Sequence, residues 1–339
     1  MLHPQIVTLM ASLVAVSSSM LEAVRLAHRY ARSPEPIAIV GPTGCGKSAL
    51  ARMVHAESVR AGPLAEISAG ELTTTLAHDQ LFGHERGAFT DASSRRRGVF
   101  AEASGGTLLL DDFHLIDHSL QPVLLRVLDT GSYRPLGSDR ELLTSARLIV
   151  GAGEDLDALV RQGKLLPDLR YRLGFAVIRL ESLARRRDDI APLADRFLAE
   201  CVATDLTHRT MAFAPDVVPA LEAAPWPGNV RELRAAVRFA FANAQVTGDA
   251  LVRHDHLPPH LQLNLSYDPR SDAATKVQLV SWALWRTGDH VGRAAALIHA
   301  HRNTVAAIRF ELRARGEAGR LHNGGASVVQ SSRLEAPVS

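Results

Sequence analysis

Eight consecutive residues, Gly41-Pro-Thr-Gly-Cys-Gly-Lys-Ser48, follow the pattern G-x-x-x-x-G-K-S. Each residue type has a job in holding a polyphosphate. Glycine lets successive backbone N–H groups turn inward onto phosphate oxygens at angles that a Cβ would resist. Lysine supplies a point charge for the outer phosphates, and the serine hydroxyl is a hard ligand for Mg²⁺. The candidate cradle is Gly41, Pro42, Thr43, Gly44, Cys45, Gly46, Lys47 and Ser48, and its implied ligands are ATP and Mg²⁺. Pro36–Val40 before it reads as a buried strand, and Ala49–His55 after it as a helix that aims its positive end at the same anion.

A second constellation ends in two carboxylates, Gly105-Gly-Thr-Leu-Leu-Leu-Asp-Asp112. An acid at the tip of a buried strand beside a phosphate loop can hold Mg²⁺ through water, and a second can orient the attacking water. Asp111 takes the first role and Asp112 the second. Phosphoryl transfer also needs cations near the γ-phosphate. Arg172 and Arg231 are the candidates, although spacing alone does not separate them from surface arginines.

Short β-rich runs must position these groups. Pro36–Val40, Ala65–Ser68, Thr107–Leu110, Arg147–Gly151 and Ala176–Leu180 alternate with helical patterns, which predicts an α/β fold with a parallel sheet. From Asp188 to about Val246 the pattern is helical only. Arg253–Asp268 reads as a linker, three short helical patterns follow it, and the Gly/Ser/Ala-rich tail reads as disordered. The boundaries so read are a lead-in at 1–13, an α/β part at 14–180, a helical part at 181–250, a linker at 251–271, a small helical domain at 272–318 and a tail at 319–339.

Charged residues make up 22% of the 339-residue chain and the net charge is +2, too mild a balance to argue for nucleic acid by itself. Two cysteines, one inside the phosphate loop, give no disulfide framework. Ile6–Val16 is apolar, but no Lys or Arg precedes it and it is too short to span a bilayer. It reads as lead-in to a first helix, Met20–Ala31. The expected location is cytoplasmic.

Leu81-Phe-Gly-His-Glu-Arg-Gly-Ala-Phe-Thr-Asp-Ala92 resembles the surface loop of the sigma-54-dependent transcription activators, a branch of the AAA+ ATPases whose usual motif is GAFTGA. The resemblance extends through Gly105–Asp112, Leu120–Leu128, Arg185–Ile190 and Trp226–Leu233, covering about residues 14 to 242. It implies an AAA+ P-loop ATPase with a helical lid, assembled as a homo-oligomeric ring, a hexamer, with ATP between subunits. It also implies that Phe89 and Thr90 contact sigma-54 RNA polymerase holoenzyme, that Arg172 acts in trans as a finger, and that Arg231 is the sensor on the lid.

The chain departs from that pattern at defined places. Asp91 replaces a loop glycine, and Asp111-Asp112 replaces the usual Asp-Glu. Ser68-Ala69 stands for the usual Asn-Cys, whose Asn is thought to restrain the catalytic acid. Ala152-Gly153 stands for the usual Thr-Asn of the sensor strand, and Leu166 for a second arginine.

The last helical patterns, Val277–Trp285, His290–Ile298 and Arg302–Arg313, resemble a Fis-type helix-turn-helix, with Val305, Ile308 and Leu312 on one face of the third. Six arginines against two glutamates between 291 and 320 suit a phosphate backbone. Arg302, Asn303, Thr304 and Arg309 are the candidate contacts to double-stranded DNA. Trp282 and Trp285 read as core, His299 occupies the turn position usually held by Gly, and Ala306 and Ala307 point outward.

His114 and His118 beside the paired acids, and His254 with His256, lack metal-ligand spacing and read as solvated; Arg95–Arg97 reads as a solvated charge run. Two functions remain open. One is an ATP-driven activator that binds upstream DNA and remodels sigma-54 polymerase. The other is a DNA-binding regulator that uses ATP for assembly, hydrolyses it poorly and does not engage sigma-54. No receiver domain is expected ahead of the ATPase, so control is expected from abundance, from a regulatory protein acting in trans, or from neither.

Overall fold

The computed structural model describes residues 13–72, 76–90, 92–205, 210–262, 273–298 and 300–314. Asp91, His299, the side chains of Trp282 and Trp285, and the tail read as disordered lie outside the described residues. The chain divides into two units, 1–182 with 228–230, and 183–227 with 231–339.

Five parallel strands organise the first unit: β1 (Ile37–Val40), β2 (Leu64–Ser68), β3 (Thr107–Asp111), β4 (Arg147–Ala152) and β5 (Val177–Arg179), in spatial order β2-β3-β4-β1-β5. All five sequence-predicted strands are present, each within a residue or two of its expected bounds. The apolar runs of the central strands β3, β4 and β1 are continuous because both faces are buried, while the edge strands β2 and β5 expose Glu66 and Arg179. Ala38, Val40, Leu108, Leu110, Leu148 and Val150 pack on one side, while Ile37, Ile39, Leu109, Ile149 and Ile178 pack on the other. Register aligns the carboxyl ends: Val40 opposite Ala152 and Arg179, and Ser68 opposite Asp111. In a sheet of this kind ligands bind outside those ends.

Helix α1 (Ser18–Ala31) starts where Ser17 Oγ accepts from Met20 N, and buries Met20, Ala23, Ala27 and Ala31 at helical spacing. At its C-terminus the Tyr30 carbonyl already accepts from the Ser33 amide at 3.0 Å, and a side chain adds further donors where the last carbonyls lack intrahelical ones. Arg147, at the start of β4, donates to the carbonyls of Tyr30 (2.6 Å), Ala31 (2.7 Å) and Glu35 (2.9 Å). Burial pulls this guanidinium down to about 10, so it is still charged at neutral pH. Helix α2 (Lys47–Glu57) follows the phosphate loop. Helices α3 (Gln121–Thr130) and α4 (Pro167–Arg172) pack together on the face that also holds Phe82, Phe100 and Phe113.

The second unit carries α5 (Ile190–Thr204), α6 (Val217–Ala223) and most of α7 (Asn229–Thr247). The helix-only expectation for this stretch needs correction. Ala212–Phe213 pairs in parallel with Leu251–Val252 as a two-residue ladder. The first part of the expected linker is also packed: two 3₁₀ turns bury His256, Leu257 and Leu261. Helices α8 (Ala273–Arg286), α9 (Val291–Leu297) and α10 (Arg302–Ala314) share a core of Val280, Ala283, Leu284, Ala294, Ala295, Ile298 and Val305. Among the described residues, no helix is long and apolar enough to cross a membrane.

Candidate active site

The loop between β1 and α2 bends through Gly44 (φ 74°) and Gly46 (φ 111°), left-handed positions where a Cβ is strained. Lys47 is buried and its ammonium donates to the carbonyls of Gly41 (3.0 Å) and Pro42 (3.4 Å). Cys45 is buried in the same loop. At the next position the Ser48 hydroxyl donates to Asp111 Oδ2 across 2.9 Å, joining residues 63 apart in the chain. Hydroxyl and carboxylate oxygens side by side are the hard donor set that Mg²⁺ takes. The residues therefore fit the ion at the place the sequence assigns to it.

Asp111 depends on its neighbour in β4. A Cβ on Gly151 would lie 2.3 Å from Asp111 Oδ1, so the carboxylate occupies the volume that any larger residue would fill. Asp111 Oδ1 also accepts from the Asp112 amide at 2.9 Å. Asp112 turns the chain at a left-handed φ of 50°, and its Oδ2 accepts from Ser68 Oγ at 3.0 Å. Both acids stand half-buried at the carboxyl edge of the sheet.

One participant escapes sequence reasoning. Asn229, within the quoted Trp226–Leu233 stretch, donates from Nδ2 to the Thr43 carbonyl at 2.9 Å, and the Val230 amide donates to the Gly44 carbonyl at 3.0 Å. Residues 228–230 thus belong with the first unit and brace the phosphate loop from outside. No sequence pattern announces Asn229, whose backbone at φ 53° sits where Asn is among the few tolerated side chains. Arg231, in the same helix, belongs with the second unit. Arg172, at the end of α4, is half-exposed and donates twice to the Leu128 carbonyl (3.0 and 2.7 Å) while pairing with Asp129 at 2.8 Å.

The expectation of solvated histidines beside the acids needs correction at His114 alone, which is half-buried with its Nδ1 accepting from the Gly153 amide at 3.2 Å; His118 is exposed as expected, its Nε2 2.6 Å from the Gly163 carbonyl. His256, also read as solvated, is buried. No group of three or more metal-ligating side chains occurs among the described residues.

Phe89 and Thr90 sit on a loop whose ends, Gly83–His84 and Arg96–Arg97, pair as a short antiparallel ladder. Both are exposed, and the Phe89 ring meets the His84 ring edge-on at 4.9 Å. His84 is pinned beneath, Nδ1 to Asp79 Oδ1 (2.6 Å) and Nε2 to the Ser94 carbonyl (2.9 Å). Arg95, Arg96 and Arg97 are all exposed, as a solvated charge run would be, and Arg96 also reaches Asp79 at 3.3 Å. In the last helices, Arg302 and Asn303 are exposed at the start of α10 and Thr304 is half-buried. Arg309 pairs with Asp289 at 3.2 Å, and Arg313 pairs with the same carboxylate.

Comparison with known proteins agrees with this geometry. Residues 13–179 match the Sigma-54 interaction domain and residues 184–274 the AAA+ ATPase lid domain. The alginate biosynthesis transcriptional regulatory protein AlgB of Pseudomonas aeruginosa is 37% identical over 255 residues, 75% of this chain and 56% of AlgB. The transcriptional regulatory protein ZraR of Escherichia coli is 35% identical over 283 residues, 82% of this chain and 63% of ZraR. The chain therefore spans little more than half the length of these regulators. Among solved structures, NtrX from Brucella abortus in complex with ATP superposes with a TM-score of 0.75 at 28% identity, over 90% of this chain and 69% of NtrX.

Proposed function

The chain belongs to the sigma-54 interaction family of AAA+ ATPases, and from that membership we propose that it is an ATP-driven transcription activator that remodels sigma-54 RNA polymerase through its GAFTDA loop. The observation that carries this reading is the bond between Ser48 and Asp111, which unites the phosphate loop and the strand-tip acid at one point.

In this reading Lys47 leaves the Gly41 and Pro42 carbonyls for the outer phosphates of ATP. The α2 N-terminus and the inward amides of the loop hold the rest of the polyphosphate. Ser48, and Asp111 through water, would hold Mg²⁺, which would supply positive charge against what develops on the phosphates. Asp112 accepts the proton of the attacking water or orients it. Arg231 would stabilise the transferred charge from the lid. Arg172, half-exposed on its own chain, would do so from a neighbouring subunit of a ring. The loop then delivers Phe89 and Thr90 to sigma-54, and α10 holds upstream DNA through Arg302, Asn303 and Thr304, while Arg309 is engaged by Asp289.

The reading is tested by open-complex formation with purified sigma-54 holoenzyme, ATP and a supercoiled promoter. Wild type should melt the promoter, and Thr90→Ala should not while still hydrolysing ATP. ATP turnover by wild type without any melting would instead support a regulator that uses ATP without engaging sigma-54. One observation favours that alternative: the tip of β4 ends in Ala152-Gly153, with no polar side chain of its own for the nucleotide.

A further inference from the structure

The tips of β3 and β4 meet at the nucleotide edge of the sheet, with Asp111 lying against Gly151. Two residues beyond Gly151 stands Gly153, and three beyond Asp111 stands His114. A Cβ built on Gly153 would lie 3.1 Å from His114 Cε1, 3.4 Å from Nδ1 and 3.5 Å from Nε2. The imidazole therefore covers the spot where a side chain at the strand tip would start.

The ring's chemistry is set by one bond. The Gly153 amide can only donate, so His114 Nδ1 accepts and carries no proton. The ring is then neutral, with its hydrogen on Nε2. Among the described residues no group accepts a hydrogen bond from that Nε2–H. The turn that carries the ring, Phe113–Leu115, is anchored by the buried Phe113 and follows directly on Asp112. A neutral N–H donor, fixed in tautomer and held at the carboxyl edge beside both acids, is suited to an anionic oxygen.

We propose that His114 reads the terminal phosphate of ATP, offering its Nε2–H to a γ-phosphate oxygen in place of the side chain that Gly153 lacks. This rests on the ATP-site reading above. It accounts for the bare strand tip: Gly153 is the residue that leaves room for the ring.

The test is calorimetric titration of wild type and variants with ADP and with ATPγS at fixed Mg²⁺. His114→Ala should weaken ATPγS binding by ~10-fold, as expected for losing one hydrogen bond to a charged group, and leave ADP affinity within about twofold. His114→Phe, which keeps the ring volume over Gly153 but removes the donor, should behave alike. Adding Gly153→Asn to His114→Ala should restore part of the ATPγS preference. The same Gly153→Asn change in wild type should lower it, because the new side chain meets the ring. An unchanged ratio of ATPγS to ADP affinity in both His114 variants would overturn the assignment and leave His114 as packing. Wild type that binds neither nucleotide would sink the ATP-site reading and this inference with it. Wild type that binds both but does not turn over ATP itself would remove hydrolysis alone, and the affinity ratio would still decide the role of His114.

Discussion

The Ser68 hydroxyl donates to Asp112 Oδ2 across 3.0 Å, from the last residue of one strand to the first residue beyond its neighbour. The pairing of β2 with β3 places Ser68 opposite Asp111, so the next residue, turned by its left-handed backbone, comes within reach of the hydroxyl. A carboxylate that spends a lone pair on a hydroxyl is held in one orientation. Ser68 and Asp112 therefore act as a unit, and both are shorter than the Asn and Glu that the resemblance would place there.

Restraint by Ser68 has a measurable consequence. A hydrogen bond to a charged acceptor is worth ~1.5–3 kcal/mol, so if it must break before Asp112 can serve the water, Ser68→Ala should raise steady-state ATP turnover by ~10-fold. Asp112→Asn should reduce turnover by at least ~10²-fold while nucleotide affinity stays put. A Ser68→Ala rate at or below wild type would mean that the hydroxyl positions the acid rather than holding it back. Undiminished turnover in Asp112→Asn would remove Asp112 from the reaction.

Gly151 offers a test of the metal side of the site. An added methyl would stand 2.3 Å from Asp111 Oδ1 and must push the carboxylate off its bond with Ser48. Gly151→Ala should therefore raise the Mg²⁺ concentration needed for half-maximal turnover, and a displacement of about 1 Å can cost ~10²-fold in rate. The fold should tolerate it at a penalty of ~1–3 kcal/mol, because the neighbour to be moved is a side chain rather than backbone. The check is a Mg²⁺ titration alongside a thermal melt. A normal Mg²⁺ requirement would show that Asp111 has no part in holding the ion.

The three central strands are legible in the chain because each is a buried apolar run ended by a glycine or acid at the carboxyl edge, while the edge strands β2 and β5 are shorter on buried residues and carry Glu66 and Arg179. The phosphate loop and paired acids are legible because their chemistry is local. What fails to show is whatever tertiary contact supplies. Asn229 braces Thr43 across 186 residues, and no local pattern announces that. His114 reads as solvated until the fold brings Gly153 against its ring. Ala212–Phe213 is too short for any period to register, and its pairing with Leu251–Val252 is settled only by packing within the second unit.

The basic residues of α10 are not equivalent, and this bears on how the chain would hold DNA. Arg302 and Asn303 are exposed, whereas Arg309 shares Asp289 with Arg313. Asp289 itself follows Gly288 in the turn between α8 and α9, with both residues at left-handed φ, so the acid is held by backbone geometry as well as by its arginines. A phosphate reaching Arg309 must compete with a carboxylate already in place. Arg302→Ala should therefore weaken binding to a duplex fragment and flatten the dependence of log affinity on log salt by about one counterion. Arg309→Ala should leave that slope unchanged, while Asp289→Asn, by releasing both arginines, should steepen it. Fluorescence anisotropy across a KCl series reads all three. If Arg309→Ala flattens the slope as much as Arg302→Ala does, the Asp289 pair opens on the duplex and Arg309 is a phosphate contact after all.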